Sequence, residues 1–111
     1  MIIHKDLADG RWFNFTILFQ LANVGTDICR AISWKKKGDT EYSKKAFARA
    51  LELLTFTIMD PKNKKRLREL CKVRELLIDH FVYDNVYNST DEEWERYFNQ
   101  FSYAAAIERG R

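Results

Sequence analysis

PKNKKRLRELCKVRELLIDHFVYDN, residues 61–85, combines a helix start, an apolar stripe and a turn. Asp60 and Pro61 are typical of a helix start, because aspartate caps helices well and proline fits the first turn. Apolar residues then recur every three or four positions, at Leu67, Leu70, Cys71, Leu77, Ile78 and Phe81. This spacing predicts an amphipathic helix over about residues 61–82.

The same spacing on either side of this stretch predicts three further helices, over about residues 11–37, 40–59 and 90–108. The run KKKG at residues 35–38 ends the first of them, since cations and a following glycine favour a helix C-terminus. Ser89 or Thr90 starts the last one, because each has a glutamate three residues later, as in a capping box. Four such helices joined by short turns predict an all-α, antiparallel up-and-down four-helix bundle, as one domain over residues 1–111.

The composition indicates a globular helical protein. Hydrophobic residues make up 46% of the chain and charged residues 32%, which excludes a disordered chain. The longest uncharged run, residues 12–26, is shorter than the ~20 apolar residues that a membrane span needs. Cys29 and Cys71 stand alone in apolar helical surroundings, so we expect buried, reduced thiols. We therefore expect a soluble cytoplasmic protein with no cofactor and no membrane partner.

The first predicted helix carries two signs of close packing. Ala22 and Gly25 lie on its apolar stripe, and such small residues let a neighbouring helix approach. Glycine costs about 1 kcal/mol of helix propensity relative to alanine, so packing is the expected reason for Gly25. The apolar arc is also unusually wide, because it includes Phe13, Phe15 and Phe19. Either the other helices cover this arc, or a second copy of the chain does so in a homodimer through helix one.

Positive charge gathers at one end of the expected bundle. The net charge is only +3, but up-and-down threading places nine basic side chains at that end against five acidic ones. The nine are Lys5, Arg11, Lys62, Lys64, Lys65, Arg66, Arg68, Arg109 and Arg111. Those from Lys62 to Arg68 crowd the first turns of the third helix, where the helix dipole favours anions instead.

This placement has two interpretations. The basic run is either a solvated face that keeps the protein soluble or an anion-binding site made by Lys62, Lys64, Lys65, Arg66 and Arg68. In the second case, free backbone amides at the helix start and these cations would bind a phosphate of a nucleic acid, a nucleotide or a partner protein.

Arg74 falls between two apolar pairs of the third helix and is expected to point into the bundle. A buried guanidinium needs acidic partners, and Asp27 or Glu52 would supply one.

The end of the same helix offers three metal-ligand candidates, Asp79, His80 and Asp84. One histidine with two aspartates is more typical of a helix end and turn, so we predict no metal site.

The segment Arg74-Glu-Leu-Leu-Ile-Asp-His80 fits the R-x(4-6)-H pattern of HEPN proteins, which are helical bundles. That family includes metal-independent ribonucleases and partners of nucleotidyltransferases. The resemblance implies that Arg74 would stabilise a scissile phosphate and that His80 would transfer a proton, across a dimer.

Over nearly its whole length the chain resembles a group of small uncharacterised prokaryotic proteins. The resemblance includes the segments LANVG at 21–25, KAFARALEL at 45–53, DPKN at 60–63 and STDE at 89–92. It supports the helical architecture and implies no activity.

These observations favour a non-catalytic binding module whose basic end engages a phosphate-bearing or acidic partner. The alternative function is a HEPN-like metal-independent ribonuclease or a nucleotidyltransferase partner subunit, centred on Arg74 and His80.

Overall fold

A computed structural model describes residues 10–110, which form an all-helical fold with four α-helices. These are α1 (Ile17–Lys36), α2 (Thr40–Met59), α3 (Leu67–Phe81) and α4 (Asp91–Arg109). Short 3₁₀ segments, Arg11–Asn14 and Pro61–Arg66, precede α1 and α3. Within residues 10–110 there is no strand, and the predicted all-α class is confirmed. Lys5 and Arg111, two of the nine cations assigned to one end, lie outside the described residues.

The core lies around α1, which packs against both α2 and α4, while α3 packs mainly on α2. Fully buried apolar side chains line these contacts, among them Leu21, Val24, Ile28, Leu54, Leu70, Leu77 and Phe98. Phe98 of α4 lies directly on Gly25 of α1, where an added Cβ atom would stand 2.6 Å from the Cβ atom of Phe98. The prediction that Gly25 allows a close helix approach is confirmed.

Polar contacts join the helices at both ends. Thr16, the residue that caps α1, donates a 2.8 Å hydrogen bond to Glu108 near the end of α4. At the opposite end Lys35, near the end of α1, donates a 3.0 Å hydrogen bond to Asp91, the first residue of α4. These contacts are compatible with the predicted up-and-down arrangement.

The first α-helix starts later than predicted. The chain is extended at Phe15 and Thr16, which separates the 3₁₀ segment from α1. The Thr16 hydroxyl caps α1 by accepting a 3.2 Å hydrogen bond from the amide of Phe19. The break lets the indole of Trp12 reach α2, where its Nε1 donates a 3.0 Å hydrogen bond to the Thr57 hydroxyl.

The third α-helix also starts later, at Leu67 rather than Pro61. The intervening 3₁₀ segment is held down by Asn63, whose buried side chain donates to the carbonyl of Thr57 at 3.0 Å. This tie to α2 keeps the segment Pro61–Arg66 more tightly wound than an α-helix.

Both cysteines are free thiols, but the prediction that they are buried is wrong. Cys71 is exposed and Cys29 is half-buried. The buried face of α3 is formed by Leu70, Val73 and Leu77, so Cys71 lies outside it.

The aromatic arc of α1 is partly covered by the chain itself. The ring of Phe15 contacts those of Trp12 and Phe19, with centroid distances of 5.7 and 4.7 Å, while Phe13 keeps 37% exposure. The homodimer through helix one stays a prediction.

No helix in the described part of the chain is both long and apolar enough to cross a bilayer.

Candidate functional site

The five basic residues proposed to bind an anion divide into two groups. Lys62 donates a 2.8 Å hydrogen bond to the carbonyl of Phe13 and forms an ion pair with Asp60. Arg66 donates to both carboxylate oxygens of Glu69 at 2.9 and 3.0 Å. These two cations are engaged in holding the basic end together.

Lys64, Lys65 and Arg68 form the second group, which we call the basic trio. All three are exposed, and none makes an ion pair with a residue in the range 10–110. The basic trio is the part of the predicted site that remains available to a ligand.

Two of the backbone amides near the basic run already have hydrogen-bond acceptors. The Asp60 carboxylate caps the 3₁₀ segment by accepting a 3.1 Å hydrogen bond from the amide of Lys62. The amide of Leu67, at the start of α3, donates to the carbonyl of Lys64. These two amides are therefore not free to bind an anion, and binding at their positions would depend on side-chain charge.

A buried polar network lies beneath the basic run. The side-chain amide of Gln20 donates to the carbonyl of Trp12 and to Asp60, both at 2.9 Å. Its oxygen accepts a 2.9 Å hydrogen bond from Asn63. Gln20, Asp60 and Asn63 are each at most 4% exposed, and within residues 10–110 no buried side-chain polar atom lacks a partner. This network fixes the segment that carries Lys64 and Lys65.

Sequence reasoning missed the network. Its only local signal was Gln20 between the apolar residues Phe19 and Leu21, and nothing local indicated that Gln20 would meet Asn63, 43 positions away.

Three carboxylates, those of Asp60, Glu69 and Asp91, have pKa values set by opposing effects. Burial alone would raise the pKa of Asp60, but hydrogen bonds from Lys62 and Gln20 outweigh burial and lower it. For Glu69, burial is likewise outweighed by hydrogen bonds from Tyr97 and Arg66, which lower its pKa. At the other end, burial of Asp91 is outweighed by hydrogen bonds from His80 and Lys35, again with a lowered pKa.

These shifts predict a loss of stability in acid. Since the folded-state pKa values of Asp60, Glu69 and Asp91 lie below their ordinary values, their stabilising contribution is complete above the unfolded-state pKa. It is lost as the pH falls through the folded-state pKa. We expect the free energy of unfolding, measured by urea titration, to be steady from neutral pH down to about 5 and to fall below about 4.

Asp60→Asn is the control for this prediction. It should lower the stability at neutral pH and make the acid-side fall shallower, because one of the three shifted groups is gone. An unchanged fall in the variant would contradict the role of Asp60.

At the opposite end, a serine, a histidine and an aspartate are joined in series. The Ser89 hydroxyl lies 3.0 Å from Nδ1 of His80, and Nε2 of His80 lies 2.7 Å from Asp91. This order resembles a nucleophile, a base and an orienting carboxylate.

The surroundings of this series indicate a structural role. The Ser89 hydroxyl also accepts a 3.1 Å hydrogen bond from the indole of Trp94 and lies 3.3 Å from the side-chain oxygen of Asn85. The His80 side chain is only 5% exposed. The serine is thus held by three neighbours, and the series ties the end of α3 to the start of α4.

Thr90, not Ser89, caps α4, in the predicted capping box with Glu93.

Arg74 does not lie in the interior as predicted. It is half-buried and lines an outer groove together with Tyr83 and Tyr87. Within residues 10–110 its guanidinium makes no hydrogen bond or ion pair, so the expected pairing with Asp27 or Glu52 is wrong. The buried face of α3 is turned towards Val73, which moves Arg74 to the edge of the helix.

The structure does not bring Arg74 and His80 to one site in the chain. Arg74 lines the outer groove, whereas both ring nitrogens of His80 are engaged by Ser89 and Asp91. Asp79 accepts hydrogen bonds from two backbone amides at 2.9 and 3.1 Å. No group of three potential metal ligands occurs among the residues that the structure describes.

Comparison of the chain with protein-family models, curated proteins and solved structures found no match. The resemblances to HEPN bundles and to a group of small prokaryotic proteins stay predictions. The ribonuclease or nucleotidyltransferase-partner alternative also stays a prediction.

Proposed function

We propose that this chain is a non-catalytic binding module whose basic end binds the phosphate backbone of a nucleic acid. The observation that carries the proposal is the basic trio, in which Lys64, Lys65 and Arg68 are exposed and have no acidic partner within residues 10–110. Surface cations bind phosphates by charge and release the counterions condensed on the nucleic acid. Such binding requires neither a catalytic residue nor recognition of base sequence.

The basic trio would not act alone if the four helices thread up and down. That arrangement places Arg11 and Arg109 at the same end as the trio. In support, Trp12, next to Arg11, is bonded to Thr57 near the end of α2. The guanidinium of Arg109 lies 5.3 Å from the ring of Phe19, in the first turn of α1.

A phosphate backbone suits this surface better than an acidic protein does. Phosphates follow one another at short, regular intervals along a strand, so clustered cations such as Lys64 and Lys65 can engage several of them at once. The fork of Arg68 also matches the geometry of phosphate oxygens. The fixed position of the 3₁₀ segment reduces the conformational entropy lost on binding.

A salt titration tests the proposal. A labelled 20-nucleotide oligouridylate is titrated with the protein between 50 and 200 mM salt, and binding is followed by fluorescence anisotropy. Three phosphate contacts predict a slope of about −2 for log K against log salt, because a single strand contributes roughly −0.7 per contact. The triple variant Lys64→Gln, Lys65→Gln, Arg68→Gln is expected to bind at least about tenfold more weakly and with a flatter slope.

A matched control removes the same charge from the opposite end. Lys37, Lys44 and Lys45 are exposed, and their triple replacement by glutamine should leave the affinity and the slope close to those of the parent. Equal losses in the two triple variants would show a non-specific effect of net charge and overturn the proposal. Competition by polyglutamate as strong as competition by unlabelled RNA would instead indicate an acidic protein partner.

A further inference from the structure

A groove on the outer side of α3 is built by the turn that follows the helix. The turn folds back along α3 because the Asp79 carboxylate accepts hydrogen bonds from the amides of Val86 and Tyr87, at 2.9 and 3.1 Å. The Tyr87 hydroxyl then donates a 3.2 Å hydrogen bond to Glu75 on the helix. The groove has a volume of about 340 Å³, at the lower end of the range for small-molecule sites.

The charges that line the groove are unequally satisfied. Glu75 accepts a hydrogen bond from the Tyr87 hydroxyl and forms a 3.8 Å ion pair with Lys72. The carboxylate of Asp79 is occupied by two backbone amides and is 8% exposed. Arg74, in contrast, is half-buried and makes no ion pair or hydrogen bond within residues 10–110. A partly desolvated guanidinium without an anion is costly, so a negatively charged ligand would complete the site.

We propose that this groove binds a small molecule that carries a single carboxylate on an aromatic or apolar body. The guanidinium of Arg74 can donate two parallel hydrogen bonds to a carboxylate. Ile78, Tyr83 and Tyr87 line the same groove and offer apolar and aromatic surface to the rest of the ligand.

The choice of a carboxylate over a phosphate follows from the charge balance. One arginine neutralises one carboxylate. A phosphate monoester carries about −1.5 to −2 charges at neutral pH, and the excess would face Glu75 and Asp79 in the same groove. The proposal is independent of nucleic-acid binding, because the basic trio does not line this groove.

Three probes that share a naphthyl ring and differ in their polar group test the proposal: 2-naphthoate, the neutral 2-naphthamide and 2-naphthyl phosphate. Each is titrated into the ¹⁵N-labelled full chain, and amide chemical shifts are followed by NMR. We expect 2-naphthoate to shift the signals of Ile78, Tyr83 and Tyr87, and 2-naphthamide to bind about tenfold more weakly or worse. We also expect 2-naphthyl phosphate to bind more weakly than the carboxylate does.

Variants of Arg74 assign the effect to its guanidinium. Arg74→Gln should weaken 2-naphthoate binding about tenfold or more. Arg74→Lys, which keeps the charge but not the fork, should fall between this variant and the parent. Arg49→Gln removes an exposed arginine on α2 and serves as the control that leaves binding unchanged.

Several outcomes would overturn the proposal. These are the absence of shifts in the groove up to the solubility limit of 2-naphthoate, equal binding of the neutral amide, and tighter binding of the phosphate. If Arg74→Gln does not give the dispersed spectrum of a folded chain, the comparison of Arg74→Lys with the parent decides: equal affinity in these two contradicts recognition by the fork.

Discussion

Gln20→Glu is expected to destabilise the protein by about 3 to 5 kcal/mol at neutral pH, although it changes only an amide group into a carboxylate. The side-chain nitrogen of Gln20 donates to the carbonyl of Trp12 and to Asp60, both at 2.9 Å, and the side chain is fully buried. An oxygen at that position would face a carbonyl and a second carboxylate in a site closed to water. Two buried carboxylates in contact cannot both stay ionised without a large free-energy cost.

The dependence on pH identifies this mechanism. The pKa of the introduced carboxyl should be raised strongly, since burial and the charge of Asp60 both favour its neutral form. The deficit relative to the parent should therefore shrink as the pH falls through that raised pKa, because a protonated carboxyl can again donate a hydrogen bond. Urea unfolding followed by circular dichroism at several pH values measures this difference.

Gln20→Met is the matched variant, with a similar shape and no charge. It leaves Asn63 without one of its acceptors and should cost about 1 to 3 kcal/mol, independently of pH above about 5. Equal losses for the methionine and glutamate variants, or a glutamate deficit that does not vary with pH, would contradict the buried network.

The sequence specified the class of fold because the relevant signals are local. Apolar spacing marked four helices, and the run KKKG marked the end of the first, where Gly38 adopts φ of 83° just after the helix. The capping box of Thr90 and Glu93 is also contained within four residues. Each of these signals depends on neighbours along the chain and is therefore visible without the fold.

The helix starts that depend on distant contacts were not predictable in this way. The break before α1 accompanies the contact of Trp12 with Thr57, and the segment before α3 is held by Asn63, which contacts Gln20 as well as the nearby carbonyl of Thr57. Trp12 and Thr57 lie 45 positions apart, and Gln20 and Asn63 lie 43 apart, so no local window contains both partners of either contact. Propensity alone extends a helix through such a segment until a tertiary contact requires another conformation.

The sequence predicts which basic residues form the candidate site, but it does not predict which acidic partners they have in the fold. The basic run was evident, but only the fold shows that Asp60 and Glu69 engage Lys62 and Arg66 and leave the basic trio exposed. In the sequence, the apolar stripe of α3 is centred near Arg74, and this spacing predicts an interior position for the arginine. A turn of the buried face towards Val73 moves Arg74 to the surface groove, and this rotation is set by packing on α2.

Gly25→Val is expected to destabilise the protein by about 3 kcal/mol, at the upper end of the cost of overpacking a core. A Cβ atom at this position would lie 2.6 Å from the Cβ atom of Phe98 and about as close to its ring, at 3.1 and 3.2 Å. The nearest atom is joined directly to the backbone of α4, so a change of side-chain rotamer cannot relieve the contact. The two helices would have to separate, which would loosen the contact between α1 and α4 at the fully buried Phe98.

Two further variants separate this contact from helix propensity. Gly25→Ala should lose less than the valine variant, because alanine gains about 1 kcal/mol of helix propensity over glycine. Thr26→Val places a valine at the adjacent, exposed position of α1 and should change stability by no more than about 0.5 kcal/mol. Thermal and urea unfolding of the three variants should therefore rank valine at 25 as the least stable, then alanine at 25, then valine at 26. If Gly25→Ala stabilises the protein by the full propensity gain, α1 and α4 do not meet at the distance described, and the glycine is not required for their packing.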